Sequence, residues 1–286
     1  MASPLRSRIA IPRRILALSQ SPVWQALGLY VLARLVSLDV LLAAARQLRG
    51  VRMAAGAAFR LWEPALLRWD ALYYASIVRT GYPNPLPTTA DGEVLANVWA
   101  FFPAFPLTIR TIETLTGGSL VGIAAVVNLI AGGVVAALLA ALVRPFAGDR
   151  AAVRAATIWA FLPTAFVLHV PYAEAMHLAF AAGCLLAVTR GRYLLASALL
   201  VGAALSRGTA WPVAAALAAR AGVDIRRAWR PSAVSPSRLR PAIALVVAAI
   251  APWLWMLVAW RATGRAGAYA ATQRAWGYIA GPAAML

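Results

Sequence analysis

The 286-residue chain is 62% hydrophobic and 13% charged, yet its net charge is +18. Ordinary soluble domains are about 45–50% apolar and about 25% charged, so this composition predicts an integral membrane protein. Nucleic-acid binding is thereby excluded as the explanation of the charge. All 27 basic residues are arginine, a side chain that also suits phosphate. One cysteine and two histidines provide neither an intrachain disulfide nor a zinc-ligand set.

The apolar runs indicate several membrane spans. The first covers residues 22–45 and follows a group of arginines, so we expect a retained span with a cytoplasmic N-terminus. Residues 46–98 are polar and aromatic and contain no run of about 18 apolar residues, which predicts a large loop with short interfacial helices. Further apolar runs cover 99–115, 120–143, 152–170, 174–189, 193–219 and 242–260.

The arginine clusters at 144–154, 190–192 and 220–240 constrain the topology. If every run crossed the membrane once, the first two clusters would lie outside, against the positive-inside rule. All three face the cytoplasm if 99–115 dips into the outer interface and 193–219 is broken into two short helices. The loop, the 171–174 corner, the break at Arg207-Gly208 and the chain after the last span then share the outer side.

We therefore predict an all-α, polytopic transmembrane helix bundle with a large first extracytoplasmic loop, located in the plasma membrane. Irregular backbone at membrane depth is tolerated where it lines a cavity, so a site is expected on the outer side. The single membrane domain, 1–286, is divided into a first span (22–45), an extracytoplasmic loop (46–98), a bundle with broken helices (99–219), a basic cytoplasmic loop (220–241), a last span (242–262) and an outer tail (263–286).

The densest group of polar and aromatic residues lies at 68–83. On a helix, Asp70, Tyr73 and Tyr74 share one face, and Trp69 adds a further ring. Asp70 is a candidate general base whose pKa would be raised by partial burial and lowered by Arg68. The rings would accept a sugar or a lipid headgroup. Alternatively, this is an interfacial helix with its rings at headgroup level and a solvated Asp70.

Three ionisable side chains within or beside apolar runs are candidates for the site. Arg207 suits a phosphate, although an arginine near a helix end also extends to the interface. Glu174 would bind a hydroxyl or an arginine, but a helix N-terminus alone also favours a carboxylate. Arg34 is expected to face the bundle interior, because exposure of its charge to lipid is unfavourable.

Two residues of the tail, Gln273 and Trp276, would hold a sugar with an amide and an indole, or anchor an interfacial segment. His169, a lone histidine beside the 171–174 corner, is interpreted as structural because it has no set of metal-ligand partners. The sequence contains no P-loop, GxGxxG, HExxH, GxSxG or CxxC motif. An enzyme of this kind would therefore take an activated substrate carried by a lipid.

Motifs along nearly the whole chain resemble those of PIG-V-like mannosyltransferases, in the family's order. The segment 69–82 is similar to their WD-x-x-x-Y-x-x-I-x-x-x-GY signature, and FFPAFPL at 101–107 resembles FFPLYPL. PTAF with PYAE, at 163–174, resembles PTAFF…YSE. LSRGT at 205–209 resembles LTRPTG, with glycine in place of the usual proline, and QRAWG at 273–277 is similar to QxxWG.

The resemblance implies a membrane glycosyltransferase of the GT-C class, with polyprenyl-phosphate mannose as donor substrate. It implies that Asp70 is the base and that Arg207 lies near the donor phosphate. The implied partners are membrane lipid, the lipid-linked donor and a glycan, lipid or protein acceptor, whereas no cofactor is implied and metal dependence stays open. The expected substrate-binding residues are Arg34, Arg68, Trp69, Tyr73, Tyr74, Tyr172, Glu174, Arg207, Gln273 and Trp276.

Family members continue with further spans, so the resemblance also predicts that this chain is C-terminally truncated. Two other functions stay open. A lipid or solute transporter or flippase would also use broken helices, but it predicts an internal repeat that we do not find in the sequence. A non-catalytic membrane subunit would fit the short C-terminus.

Overall fold

The computed structural model describes residues 21–47, 66–227 and 239–277. Within these ranges the chain is mostly helical, apart from irregular segments such as 81–97, and its one β-type pairing is an antiparallel bridge between Thr88 and Val94. The all-α prediction is confirmed for this part of the chain. The N-terminal arginines, and the parts of the predicted loops and tail at 48–65, 228–238 and 278–286, lie outside the described residues.

The α-helices of the described residues are numbered here in chain order, and short 3₁₀ helices lie between some of them. The α-helices are α1 (Pro22–Gln47), α2 (Asp70–Thr80), α3 (Ala104–Thr116), α4 (Leu120–Phe161), α5 (Glu174–Thr189), α6 (Tyr193–Ser206), α7 (Trp211–Arg227), α8 (Leu239–Ile250), α9 (Leu254–Thr263) and α10 (Ala268–Ala275). The 3₁₀ helices are Val98–Ala100, Pro163–His169, Gly208–Ala210 and Ala251–Trp253.

Three helical stretches in the described ranges are long and apolar enough to cross a membrane: Pro22–Ala43, Leu120–Phe161 and Leu239–Thr263. A fourth results if Pro163–His169 and α5 form one broken span; the chain bends by 105° between them. The structure thus agrees with a multi-span protein. Its α3 has only 13 residues, too few to cross, as expected for the segment assigned to the interface.

The segment around 144–154, predicted as a loop between two apolar runs, is helical on both sides of Gly148 and is interrupted at that residue. Gly148 has φ 78° and ψ 177°, outside the helical region, so α4 consists of two helices joined at a kink. An ion pair of 2.7 Å between Arg144 and Asp149 spans the bend. Alanine, the best helix former, is frequent on both sides, so the helix resumes immediately after the glycine.

The predicted break in 193–219 is confirmed. Helix α6 ends at Ser206, Arg207 has extended backbone with φ −157° and ψ 156°, and α7 begins at Trp211. Pro212, expected to contribute to the break, lies in the first turn of α7. A proline is tolerated there because its missing N–H would have no partner within the helix.

Small residues bring the helices close together. Helix α1 packs on α4 through alanines and through Tyr30, whose ring lies against Gly132 and Gly133. The α6 to α8 core is likewise rich in buried alanine. Such close packing of small residues is typical of helices in membranes, where shape complementarity replaces the hydrophobic effect as the driving force.

Candidate functional site

A partly open cleft of about 260 Å³ lies where the first turn of α2, the break after α6 and helix α10 meet. The 46–98 loop, the break and the tail, which the charge pattern predicts on one side of the membrane, all contribute to it. Its walls are formed by Asp70, Tyr74, Ala100, Phe101, Phe102, Arg207, Gly208, Tyr269 and Gln273.

Asp70 is the carboxylate of the cleft and the first residue of α2. As its spacing predicts, it shares the cleft-facing side of the helix with Tyr74. The preceding Trp69 has φ 50°, a left-handed conformation that non-glycine residues rarely adopt. Burial raises the pKa of Asp70, while the positive charge of Arg207 lowers it. Arg68, expected to play that second role, is exposed. A half-buried carboxylate with a raised pKa is suited to accepting a proton.

Arg207 is the cation of the cleft, and its guanidinium is held by Glu174. Its Nη1 donates to Glu174 Oε1 at 2.5 Å, and the two side chains are 33% and 27% exposed. Thr209, two residues further on, is tied to the bundle by His177. That imidazole lies 3.0 Å from the Ala203 carbonyl and 3.1 Å from the Thr209 hydroxyl. His177 therefore holds the chain both before Arg207, at Ala203, and after it, at Thr209.

Aromatic rings form much of the remaining wall. Tyr74 meets Phe101 edge-on at 5.5 Å, and Phe102 meets Tyr269 edge-on at 5.8 Å, between ring centroids. A Cβ added at Gly208 would lie 3.3 Å from Phe102 Cζ. A glycine here, where the resembled family has proline, thus lets the ring pack close to the break.

A second aromatic cluster supports this wall from behind. The rings of Tyr82, Trp99 and Trp255 lie 4.7 to 5.1 Å apart. The Trp99 indole donates to the Pro83 carbonyl at 2.9 Å, and the Trp255 indole donates to the Trp99 carbonyl at 3.1 Å. These bonds fix the irregular backbone that carries Phe101 and Phe102.

Helix α10 lies against the same backbone. Gln273 lines the cleft, and its Nε2 donates to the Ala100 carbonyl at 3.3 Å. The Trp276 indole donates to the Asn97 carbonyl at 2.9 Å, and its ring meets Tyr73 edge-on at 4.8 Å. The polar groups of these two predicted sugar-binding residues therefore hold the protein backbone, and only Gln273 also faces the cleft.

The structure separates several predicted site residues from the cleft. Arg68 and Trp69 are exposed, the latter by 70%. Tyr172 lies outside the lining but within electrostatic reach of Asp70. Arg34 faces the bundle interior, as predicted, but its Nη1 and Nη2 donate to the carbonyls of Ala165 and Ala160, each at 2.5 Å. Its guanidinium thus satisfies one carbonyl in the last turn of α4 and one in the following 3₁₀ helix, and it does not line the cleft.

Some lining residues were not among the predicted site residues. Phe101, Phe102 and Gly208 lie in motifs of the family resemblance, which had assigned them no role. Tyr269 was missed, although a signal for it exists: it precedes Gln273 by four residues, so a helix in the tail puts both on one face.

In the described ranges no group of three or more histidine, cysteine, aspartate or glutamate side chains is placed to hold a metal ion. The chain matches no family model, no curated protein and no solved structure. Over the described residues, the fold is helical with three or four helices long and apolar enough to span a membrane, and it contains a cleft that combines a carboxylate with a guanidinium.

Proposed function

We propose that the chain is a membrane glycosyltransferase that moves a mannosyl residue from polyprenyl-phosphate mannose to a hydroxyl of an extracytoplasmic acceptor. The observation that carries the proposal is the shared cleft of Asp70 and Arg207, one half-buried carboxylate and one guanidinium among aromatic rings. A carboxylate suits a hydroxyl proton, a guanidinium suits a phosphate, and flat rings suit a sugar.

The guanidinium of Arg207 retains capacity for an anion. Among the described residues, only its Nη1 makes a hydrogen bond, to Glu174. The edge formed by Nε and Nη2 presents two parallel N–H groups, the arrangement that binds phosphate oxygens in a bidentate manner. In the proposed complex this edge holds the donor phosphate.

Asp70 is the proposed base. It takes the proton of the acceptor hydroxyl as the hydroxyl oxygen bonds to the anomeric carbon. The bond between that carbon and the phosphate oxygen breaks, and its electron pair leaves on the phosphate, whose growing charge Arg207 stabilises. One displacement inverts the anomeric centre and needs no covalent enzyme intermediate.

The size of the cleft limits what it encloses. Its volume of about 260 Å³ is just below the range of about 300–1,000 Å³ that is common for small-molecule sites. In the proposal the cleft takes one sugar ring with its phosphate, while the polyprenyl chain stays in lipid. The arginine clusters then face the cytoplasm and the cleft opens on the outer side of the plasma membrane.

The test is transfer from polyprenyl-phosphate mannose by membranes that contain the chain or its Asp70→Asn variant. Asp91→Asn is the matched control, since it removes an exposed carboxylate from the same loop. Loss of a general base typically lowers the rate by about 10²–10⁴-fold, so Asp70→Asn should lose at least a hundredfold and Asp91→Asn nothing.

Three results would refute the proposal. Transfer that survives Asp70→Asn within a few-fold removes the base. Lipid translocation in vesicles without any sugar transfer by the wild-type chain identifies a flippase. A larger complex whose transfer activity is indifferent to Asp70 identifies the chain as a non-catalytic subunit.

A further inference from the structure

The proposed reaction assigns no step to Glu174, which forms an ion pair with Arg207. We infer that Glu174 is a positioning residue that fixes Arg207 and weakens its grip on phosphate, so that the phosphate product is released. This inference rests on the proposed function, because it requires Arg207 to bind the phosphate of a lipid-linked sugar.

The position of Glu174 supports an indirect role. Glu174 is the first residue of α5, and it is absent from the cleft wall, to which Arg207 belongs. One carboxylate oxygen accepts from Arg207 Nη1. The other, Oε2, is buried and has no hydrogen-bond partner in the described residues. Glu174 therefore touches the cation from behind and acts on a ligand through it.

The geometry of the pair allows a phosphate and Glu174 to share the guanidinium. Glu174 occupies Nη1, and the opposite edge of Nε and Nη2 is left for the ligand. The carboxylate thus keeps the guanidinium in one orientation before the ligand arrives. Preorganisation of this kind lowers the entropy lost when the ligand binds.

The negative charge of Glu174 has the opposite effect, because it lowers the affinity of the cleft for phosphate. The charged groups of the cleft wall are Asp70 and Arg207, and Glu174 adds a second carboxylate beside the cation. When both carboxyl groups are ionised, the three groups sum to one negative charge. The donor is a phosphodiester with one negative charge, whereas the product, a phosphomonoester, carries about −1.5 to −2 at neutral pH. Because Coulomb repulsion scales with charge, Glu174 disfavours the product more than the donor.

The experiment measures binding of polyprenyl phosphate to the purified chain in nanodiscs of zwitterionic lipid. Glu174→Gln keeps the shape and removes the charge, so we expect about tenfold tighter binding of this product, with a smaller gain for the donor. In steady-state transfer the variant should lower both KM for the donor and kcat, and product inhibition should become stronger. Uncharged polyprenol should bind both proteins equally.

Two further variants serve as controls. Glu93→Gln removes an exposed carboxylate from the loop and should leave phosphate binding unchanged. Glu174→Asp keeps the charge on a shorter side chain and should restore product affinity toward that of the wild type. A merely structural role for Glu174 would instead make Glu174→Gln bind phosphate more weakly and unfold at lower temperature.

The outcomes separate this inference from the proposed function. If the wild-type chain binds polyprenyl phosphate and Glu174→Gln binds it equally or more weakly, the inference fails and the proposed function stands. If Glu174→Asp gains affinity as much as Glu174→Gln, the gain does not come from charge, and the inference also fails. If the wild-type chain does not bind polyprenyl phosphate, both fall together.

Discussion

Replacing Gly132 with alanine should destabilise the contact between α1 and α4, because no space exists there for a methyl group. A Cβ at Gly132 would lie 2.2 Å from the Tyr30 hydroxyl oxygen and 2.8 Å from its Cζ. Tyr30 is 1% exposed, so its ring cannot turn away into open space. The neighbouring Gly133 provides the control, because a Cβ there would lie 3.6 Å from Leu27 Cδ2, an ordinary contact.

The two substitutions are expected to change the stability of the protein in opposite directions. Overpacking costs about 1–3 kcal/mol, and a contact of 2.2 Å belongs near the upper end of that range. Alanine recovers about 1 kcal/mol of helix propensity over glycine, which leaves a net loss of about 2 kcal/mol at Gly132. At Gly133 the propensity gain stands alone. With a shift of about 2–4 °C per kcal/mol, Tm should fall by about 4–8 °C for Gly132→Ala and rise by about 2–4 °C for Gly133→Ala.

Thermal unfolding in detergent, followed by the fraction that still elutes as monodisperse protein, measures both variants. Combining Gly132→Ala with Tyr30→Ala makes room for the methyl group, so the double variant should lose less than the sum of its single variants. Equal Tm values for Gly132→Ala and Gly133→Ala would mean that Tyr30 does not pack on this turn of α4. The α1–α4 register described above would then be wrong.

Three further predictions concern single residues. Arg34→Met leaves two backbone carbonyls without donors, and at about 1.5 kcal/mol each the free energy of unfolding should fall by about 3 kcal/mol. The exposed Arg79→Gln should cause no loss in the same thermal unfolding experiment. An unchanged Tm for Arg34→Met would contradict the carbonyl contacts. Gly208→Ala should push the Phe102 ring into the cleft and lower the transfer rate several-fold while Tm stays within about 2 °C; wild-type transfer would contradict the tight contact. The raised pKa of Asp70 means that the folded chain binds a proton more tightly than the unfolded chain, so stability falls as pH rises from the ordinary aspartate value to the raised one. Asp70→Asn removes that fall and should raise Tm at neutral pH but not in acid, and a lower Tm at neutral pH would refute this.

Local features of the sequence anticipated much of the fold. Hydropathy anticipated long apolar helices, since length and apolarity are properties of a single segment. The helix at 70–80 and the break at Arg207 followed from side-chain spacing and from a charge within an apolar run. Between the two apolar runs that form α4 the sequence predicts a loop, whereas the structure joins the two helices by a kink confined to Gly148.

Four of the residues predicted for the site line the cleft: Asp70, Tyr74, Arg207 and Gln273. Asp70 and Arg207 were recognisable because a charged side chain is unfavourable in apolar surroundings unless it has a partner or faces a cavity. Tyr269 and Phe102 complete the wall through packing between distant segments, which no local pattern encodes. Gln273 and Trp276 were identified as polar-aromatic residues, yet their hydrogen bonds go to the backbone at 97–100, a partner that depends on the tertiary fold.

Arg34 and Arg207 show why intramembrane arginines cannot be assigned from sequence. Both interrupt apolar helical sequence, and both were predicted to contact substrate. Arg34 is 4% exposed and donates both terminal nitrogens to backbone carbonyls, so its guanidinium is closed to ligands. Arg207 is paired through Nη1 alone, and its side chain is 33% exposed at a cleft. The partners of a guanidinium, more than its depth, therefore determine which arginine can bind phosphate.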